Sequence, residues 1–181
     1  MTLDFTGSTR TLHPSPNYQG IPIEPAFEDY TFMMFDLCDA LEIKCEIYPM
    51  MGNIENALAL IDKDGNPLIV YDRRLSSLIG YDGANAVIAH ELGHHYCSHL
   101  TDPAEKTNHE IEKEADRFMG FAMKKLGVGL ASLLDIYVKL GLDVASPTHP
   151  SFDKRKIAIS EGFNATSLDA ICQRPSSEAT P

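Results

Sequence analysis

The sequence predicts a single α+β domain in which a small, mainly antiparallel sheet packs on several helices. Its 181 residues, of which 44% are hydrophobic, are enough for one compact core and too few for two comfortable domains. Short apolar segments flank a turn-rich stretch at residues 62–67, which is the pattern of a hairpin. Apolar residues recur at helical spacing elsewhere, mostly after this hairpin, so a small sheet is expected to precede the main helices.

The first part of the chain has a different composition from the rest. Residues 1–25 carry four prolines among small polar residues and are predicted to form an extended N-terminal arm. The domain itself is predicted to span residues 26–172, and the polar, proline-containing residues 173–181 are predicted to form a flexible tail. The elements expected in order are a helix over 26–41, a short strand over 43–48, a hairpin of 57–61 with 68–71, helices over 72–79 and 84–99 with Asp72 and Asp82 as N-caps, and helices over 109–126, 130–140 and 151–160.

The charge of the chain argues against polyanionic partners. The formal net charge is -11 and the pI is near 4.9. A surface that binds nucleic acid or an anionic membrane needs clustered Lys and Arg side chains, and the sequence has no such cluster. Nucleic acid is therefore not an expected partner, and the sequence does not indicate an oligomeric state.

Neither a signal peptide nor a membrane-spanning segment is expected. The first ten residues lack a basic and then apolar run, and no stretch of about 18 apolar residues occurs. The cysteines, Cys38, Cys45, Cys97 and Cys172, are scattered without a Cys-x-x-Cys pair and are predicted to be reduced, mostly buried thiols. A cytoplasmic protein is the expectation, with export by a route that leaves no cleaved signal as the alternative.

The most informative segment is His-Glu-Leu-Gly-His at residues 90–94. His90 and His94 lie four residues apart and therefore share one helical face, where both imidazoles can reach a single Zn²⁺. Glu91 is angled toward a metal-bound water rather than the metal, which is the geometry of a general base. The apolar run at residues 86–89 and a preceding capping signal place this segment on a buried helix.

A third ligand is expected from the acidic stretch at residues 110–116, where Glu110, Glu112 and Glu114 compete. Glu112 follows His94 by eighteen residues. Helical spacing gives one apolar arc, formed by Ile111, Ala115, Phe118, Met119, Ala122 and Leu126. Glu112 lies inside this arc and Glu114 outside it, and a carboxylate that points into a core must be paired or bound to a metal. Glu112 is therefore the predicted third ligand, and Asp116, on the same side, is predicted to accept a hydrogen bond from a ligand histidine.

His95 and His99 form a second pair at the same spacing. They lie on a different helical face from the first pair, and the sequence offers them no evident carboxylate partner. They are therefore predicted to be structural or exposed to solvent.

These motifs together resemble the gluzincin metallopeptidases. H-E-x-x-H followed by E-x-x-A-D is similar to the branch that contains HtpX, the CAAX prenyl endopeptidases and the soluble minigluzincins. In that branch a strand that reads roughly N-A-F-A, a glycine turn and a second strand precede the motif helix, and H-P-x-x-x-x-R follows it. The matching segments here are Asn56-Ala57-Leu58-Ala59, Gly65, Leu68-Ile69-Val70-Tyr71 and His149-Pro150 with Arg155.

The resemblance covers about residues 47–159 and implies a zincin-like fold and a zinc-dependent endopeptidase that acts on peptides or proteins. It implies one zinc ion, bound by His90, His94 and Glu112, with Glu91 as the base. It also implies that His149 and Arg155 face the oxyanion, where a donor or cation lowers the barrier by about 3 to 4 kcal/mol. The membrane helices of HtpX and the prenyl endopeptidases are missing here, so their membrane substrates are not expected.

Two alternatives remain at the level of sequence. One is a metal-binding regulatory or scaffold protein that kept the fold without catalysis, although a purely structural site has no need of Glu91. The other is a latent peptidase whose metal is covered by residues 1–25 or by a thiol such as Cys38 or Cys45.

Residues 56–59 are also predicted to form an edge strand to which an extended substrate adds by main-chain hydrogen bonds.

Overall fold

The structure, a computed structural model, describes residues 2–3, 9–10, 17–18, 20–26, 29–54, 56–102, 106–139 and 150–172. The predicted tail, residues 173–181, lies outside this part of the chain. The predicted α+β class is confirmed, because one mixed sheet packs against a layer of helices.

The sheet is built from short strands and is mainly antiparallel. A separate pair joins β1 to β2, and the larger sheet has the order β3-β4-β5-β7-β6. Only β5 and β7 pair in parallel among the described strands of the larger sheet. The strands are β1 (Thr2–Leu3), β2 (Thr9–Arg10), β3 (Asn17–Tyr18), β4 (Ile21–Pro25), β5 (Tyr48–Gly52), β6 (Ala57–Ile61) and β7 (Pro67–Asp72).

The predicted hairpin is confirmed, and the strand before it lies elsewhere than predicted. β6 and β7 pair antiparallel across the turn at residues 62–66. The strand expected over 43–48 begins only at Tyr48 and is buried along its whole length. A strand that is covered on both faces shows a continuous apolar run rather than alternation of apolar and polar residues. Alternation therefore does not mark the position of β5 in the sequence.

The predicted arm contains β1 and β2 and contributes two strands, β3 and β4, to the larger sheet. Residues 21–25 form β4, in which Ile23 pairs with Gly52 of β5 and is buried. Proline favours an extended backbone and is tolerated where no ladder donor is required, so the prolines of this segment are compatible with a strand. The sheet therefore extends across the predicted domain boundary at residue 25.

The described residues also form five α-helices and one short 3-10 helix. They are α1 (Asp29–Leu41), α2 (Leu75–Tyr96), α3 (Asn108–Lys125), α4 (Leu130–Lys139), α5 (Phe152–Asn164) and the 3-10 helix Leu168–Ala170. The two helices predicted over 72–79 and 84–99 form one interrupted element, α2. Its axis breaks at Gly80, whose φ of 76° and ψ of 172° suit glycine. Arg74 rather than Asp72 occupies the N-cap, and Asp72 instead accepts a hydrogen bond from the Arg74 amide at 2.8 Å.

The cysteines are paired, so the prediction of reduced thiols is wrong. Disulfides join Cys38 to Cys45 and Cys97 to Cys172. The second bond joins residues 75 positions apart, and sequence spacing carries no information about such a pair. Disulfides persist mainly in oxidising compartments, so these bonds do not favour the predicted cytoplasmic location. Over the described residues, no helix has the length and apolar character needed to cross a bilayer.

Candidate metal centre

Three side chains from α2 and α3 converge at one point. His90 Nε2 lies 3.3 Å from His94 Nε2 and 3.3 Å from Glu112 Oε2. His94 Nε2 lies 3.6 Å from Glu112 Oε1, and each of the three side chains is only 10 to 13% exposed. These are the predicted ligands, and the structure brings all three together as a group that could hold a metal ion.

The separations fit a four-coordinate metal. Bonds of about 2.0 to 2.1 Å at tetrahedral angles place neighbouring ligand atoms about 3.3 Å apart. The two imidazole nitrogens are 3.3 Å apart, and the oxygens of Glu112 lie 3.3 Å (Oε2) from His90 and 3.6 Å (Oε1) from His94. Two imidazoles and a carboxylate are donors that suit zinc and other divalent transition metals.

A close approach of two helices produces this convergence. A Cβ atom added at Gly93, within the motif, would lie 2.9 Å from the Cβ of Phe118 and 3.1 Å from the Cα of Ala115. The absence of a side chain at Gly93 therefore lets the backbone of α2 approach α3. His94 follows directly on α2, and Glu112 lies less than one turn before Ala115 on α3, so the contact holds ligands from both helices near each other.

The start of α3 explains which of the three competing glutamates reaches the centre. Thr107 and Glu110 form a capping box: the Glu110 amide donates to Thr107 Oγ1 at 3.3 Å, and the Thr107 amide donates to Glu110 Oε2 at 2.8 Å. This cap engages the carboxylate of Glu110, which leaves Glu112 and Glu114 as the remaining candidates. Glu112 then faces α2, while Glu114 is directed into a different buried contact.

Asp116 lies beside His90, one of the candidate ligands. Its Oδ1 is 3.1 Å from His90 Nδ1, an ion-pair contact whose angle departs from that of a hydrogen bond. Burial alone would raise the pKa of Asp116, but hydrogen bonds from Arg155 and the contact with His90 lower it to about 2. Asp116 is therefore a carboxylate that can hold the ring of His90 in one orientation.

Arg155 does not lie where the oxyanion role would require an accessible cation. Its side chain is 3% exposed, and its Nε and Nη2 donate to Asp116 Oδ2 and Oδ1 at 2.9 and 2.8 Å. The Tyr137 hydroxyl also donates to Asp116 Oδ1, at 2.8 Å. This geometry makes Arg155 a buried support for Asp116. The other residue predicted to face the oxyanion, His149, lies outside the described residues.

Protonation of the two ligand histidines differs in the metal-free protein. Burial alone would lower the pKa of His90, but the carboxylates of Asp116 and Glu112 outweigh it and raise the pKa to about 10. Burial and the adjacent charge of His90 lower the pKa of His94 to about 3. The pair therefore retains a proton on His90 at neutral pH, and a metal must displace that proton.

The carboxylate of Glu91 is held by the sheet. Its Oε2 accepts a hydrogen bond of 2.7 Å from the Ala59 amide of β6, the strand at the edge of the sheet. Burial raises the pKa of Glu91 to about 7, although the charge of His90 and the Ala59 hydrogen bond oppose the shift. A carboxylate with a pKa near neutrality, beside the ligand triad, is suited to accept and return a proton.

His99 and Glu114 depart from the sequence prediction. Glu114 is buried rather than outside the packed face of α3, and its Oε2 lies 2.8 Å from His99 Nε2 and 2.7 Å from Lys106 Nζ. His99 Nδ1 lies 3.0 Å from His94 Nδ1, so His99 does have a carboxylate partner and also contacts a ligand. His95, by contrast, bonds the Leu68 carbonyl at 2.7 Å and is structural, as predicted.

The end of α2 explains why the sequence did not reveal this contact. The helix stops at Tyr96, and Ser98, with a φ of 60°, reverses the chain. The amides of Ser98 and His99 donate to the carbonyls of His95 and His94, which is a Schellman turn with serine in the position usually taken by glycine. Because no glycine marks the end of the helix, the sequence predicts that it continues to residue 99. That prediction places His99 on the wrong helical face.

A second group of metal-binding residue types, Cys97, His99 and Glu114, lies nearby. The sulfur of Cys97 is bonded to Cys172, so in this structure it is no thiolate ligand.

The chain matches no protein-family model, no curated protein and no solved structure. The resemblance to gluzincin peptidases therefore depends on the motifs and on the geometry that the chain itself presents.

Proposed function

We propose that this protein is a zinc-dependent endopeptidase in which His90, His94 and Glu112 bind the metal and Glu91 is the general base. The observation that carries the proposal is the convergence of two imidazole nitrogens, 3.3 Å apart, on the carboxylate of Glu112, beside a second carboxylate of raised pKa. A structural zinc site is commonly closed by four protein ligands, whereas a catalytic site keeps three. Three protein ligands with an adjacent base favour catalysis.

The same donor set also serves non-haem iron. Ligands at right angles with bonds of similar length would lie about 2.9 Å apart, as in an octahedral iron centre. The 3.3 Å between the two imidazole nitrogens is nearer the tetrahedral value, and a base beside the triad, Glu91, suits the hydrolytic chemistry of zinc. Zinc is therefore the proposed metal, with one ion per chain.

The residues of the chain would divide the work of peptide hydrolysis. A bound zinc ion supplies a water of lowered pKa and polarises the scissile carbonyl. Glu91 takes the proton of the attacking water and delivers it to the departing amine, and its bond to the Ala59 amide keeps the carboxylate oriented. Asp116, held by Arg155, keeps His90 oriented toward the ligand position.

The position of β6 supports an extended peptide as substrate. β6 is an outer strand of the described sheet, and the Ala59 amide donates to Glu91 rather than to β7. Ala57 and Ala59 occupy alternate positions, so their main-chain groups are directed to the same side of the strand, where Glu91 takes the Ala59 amide and the carbonyl groups of both residues face away from β7. A peptide that pairs there would be recognised through its backbone near the base. Peptides N-methylated at single positions should then be cleaved more slowly, and unchanged cleavage of the whole methylated series would contradict this docking.

The experiment that tests the activity compares the zinc-loaded protein with the Glu91→Gln variant on a diverse peptide library. We expect the variant to retain one zinc per chain and to lose hydrolysis, because the amide leaves the ligands intact and cannot accept the proton. Zinc binding without hydrolysis by the unaltered chain would instead indicate a regulatory or scaffold protein. Absence of zinc binding would refute the centre itself. A truncation that tests latency must end before Asn17, because β3 and β4 belong to the sheet.

A further inference from the structure

We propose that His99 is a positioning residue that orients the ligand His94, and that Glu114 and Lys106 hold His99 in place. The inference rests on the proposed metal centre and adds residues that no ligand motif contains. Four side chains form a continuous chain of contacts: His94 Nδ1 to His99 Nδ1 at 3.0 Å, His99 Nε2 to Glu114 Oε2 at 2.8 Å, and Glu114 Oε2 to Lys106 Nζ at 2.7 Å.

The order of donors and acceptors along this chain follows from the ligand geometry. His94 presents Nε2 toward His90 and Glu112, so this nitrogen carries the lone pair for the metal and Nδ1 carries the hydrogen. The hydrogen on His94 Nδ1 requires His99 Nδ1 to accept, and His99 must then carry its own hydrogen on Nε2. That hydrogen is donated to Glu114, whose charge is balanced by Lys106. Every atom of the series has a single consistent role.

The surroundings of His99 hold it in one position. The His99 and Glu114 side chains are 1% and 2% exposed, so neither can exchange its partner for water without opening the fold. The Schellman turn after α2 fixes the backbone of residue 99 against the His94 carbonyl. Two residues earlier, the Cys97–Cys172 disulfide ties the same turn to the C-terminal part of the domain.

Each ligand histidine is thus backed by a buried carboxylate, directly for His90 and through His99 for His94. His90 contacts Asp116, which is held by Arg155. His94 contacts His99, which is held by Glu114 and then by Lys106. In each case a buried carboxylate paired with a cation stands behind the ring that binds the metal. Contacts of this kind fix the tautomer and orientation of a ligand, and their loss typically weakens metal affinity by about 10- to 100-fold.

The test measures zinc affinity by competition with a chromophoric chelator and needs no substrate. His99→Phe keeps the ring volume and removes both nitrogens, and we expect zinc affinity to fall by about 10- to 100-fold. His99→Asn retains an acceptor near the Nδ1 position and should recover most of that loss. His95→Phe is the matched control, because His95 lies on α2 beside His94 but bonds the Leu68 carbonyl and not a residue of the centre. The zinc affinity of the His95→Phe variant should equal that of the unaltered protein.

A spectroscopic measurement separates positioning from general stability. In the zinc-loaded protein, imidazole ¹⁵N NMR should show His94 protonated at Nδ1 and His99 protonated at Nε2. Thermal unfolding of each metal-free variant shows whether it folds, and Glu114→Gln provides a second variant if His99→Phe does not. Unchanged zinc affinity in folded His99→Phe or Glu114→Gln, or His99 protonated at Nδ1, would overturn the inference. Failure of the unaltered chain to bind zinc would instead refute the proposed function.

Discussion

Replacing Gly93 by alanine tests whether the contact between α2 and α3 sets the geometry of the metal centre. The new Cβ would lie 2.9 Å from the Cβ of Phe118 and 3.1 Å from the Cα of Ala115. Nonbonded carbon atoms pack best at about 3.5 to 4.0 Å, so the two helices would have to separate by roughly 0.5 to 1 Å. The displacement would act directly on His94 and Glu112, which lie beside the contact on either helix.

The size of both effects can be worked out from this displacement. Overpacking of this kind costs about 1 to 3 kcal/mol. For a chain of 181 residues, each kcal/mol lowers Tm by about 2 to 4 °C, so Tm of the metal-free protein should fall by about 2 to 12 °C. Ligand groups must be held within about 0.5 Å of the productive geometry, and disturbing what orients a metal ligand typically weakens metal affinity by about 10- to 100-fold. Zinc affinity should therefore fall by about 10- to 100-fold.

Calorimetric unfolding of the metal-free protein and chelator competition for zinc measure the two effects separately. Gly129→Ala is the control, because a Cβ there would meet no atom within 4 Å. It should change neither quantity. A Gly93→Ala protein with the original Tm and zinc affinity would refute the reasoning. A lowered Tm with unchanged affinity would show that the helices part without moving the ligands, which would refute the link between the contact and the centre.

Two further predictions concern the support and the protonation of the centre. Arg155→Met should lower the free energy of unfolding by about 3 to 5 kcal/mol in a denaturant titration, because it leaves Asp116 buried without its cation; Arg73→Met, at an exposed ion pair, should change it by at most about 1 kcal/mol. Because the pKa of His90 rises from 6.5 to about 10 on folding of the metal-free chain, its proton stabilises the fold fully below pH 6.5 and progressively less toward pH 10. Zinc must displace that proton, so calorimetry at pH 7.5 in buffers of different ionisation enthalpy should detect proton release, and affinity should increase with pH; a buffer-independent enthalpy would contradict the raised pKa.

The features predicted correctly from the sequence are those with local causes. The spacing of His90 and His94 determines a shared helical face wherever the segment is helical. Glu112 could be placed because the helix around it carries a clear apolar face, and the hairpin because its turn residues stand between two apolar segments. The α+β class follows from the same local patterns.

The features that were missed depend on contacts distant in sequence or on weak end signals. The burial of Arg155 against Asp116 joins α5 to α3, and no periodicity within α5 indicates it. His99 was misplaced because serine rather than glycine ends α2. The apolar arc of α3 alone places Glu114 outside the packed face, but its partners, His99 and Lys106, come from the segment before that helix. The disulfides and β4 likewise depend on which segments the fold brings together.

The Cys97–Cys172 bond has a consequence for a chain that is nicked by a protease. A single cut between these residues leaves both fragments covalently attached, across an interval of 75 positions. A cut near Lys106, for example, would place His90 and His94 on one fragment and Glu112 on the other, yet the two would still migrate as one species until a reductant is added. The residues of the candidate metal centre would thus stay tethered after backbone cleavage, which is an advantage for a molecule exposed to proteolysis.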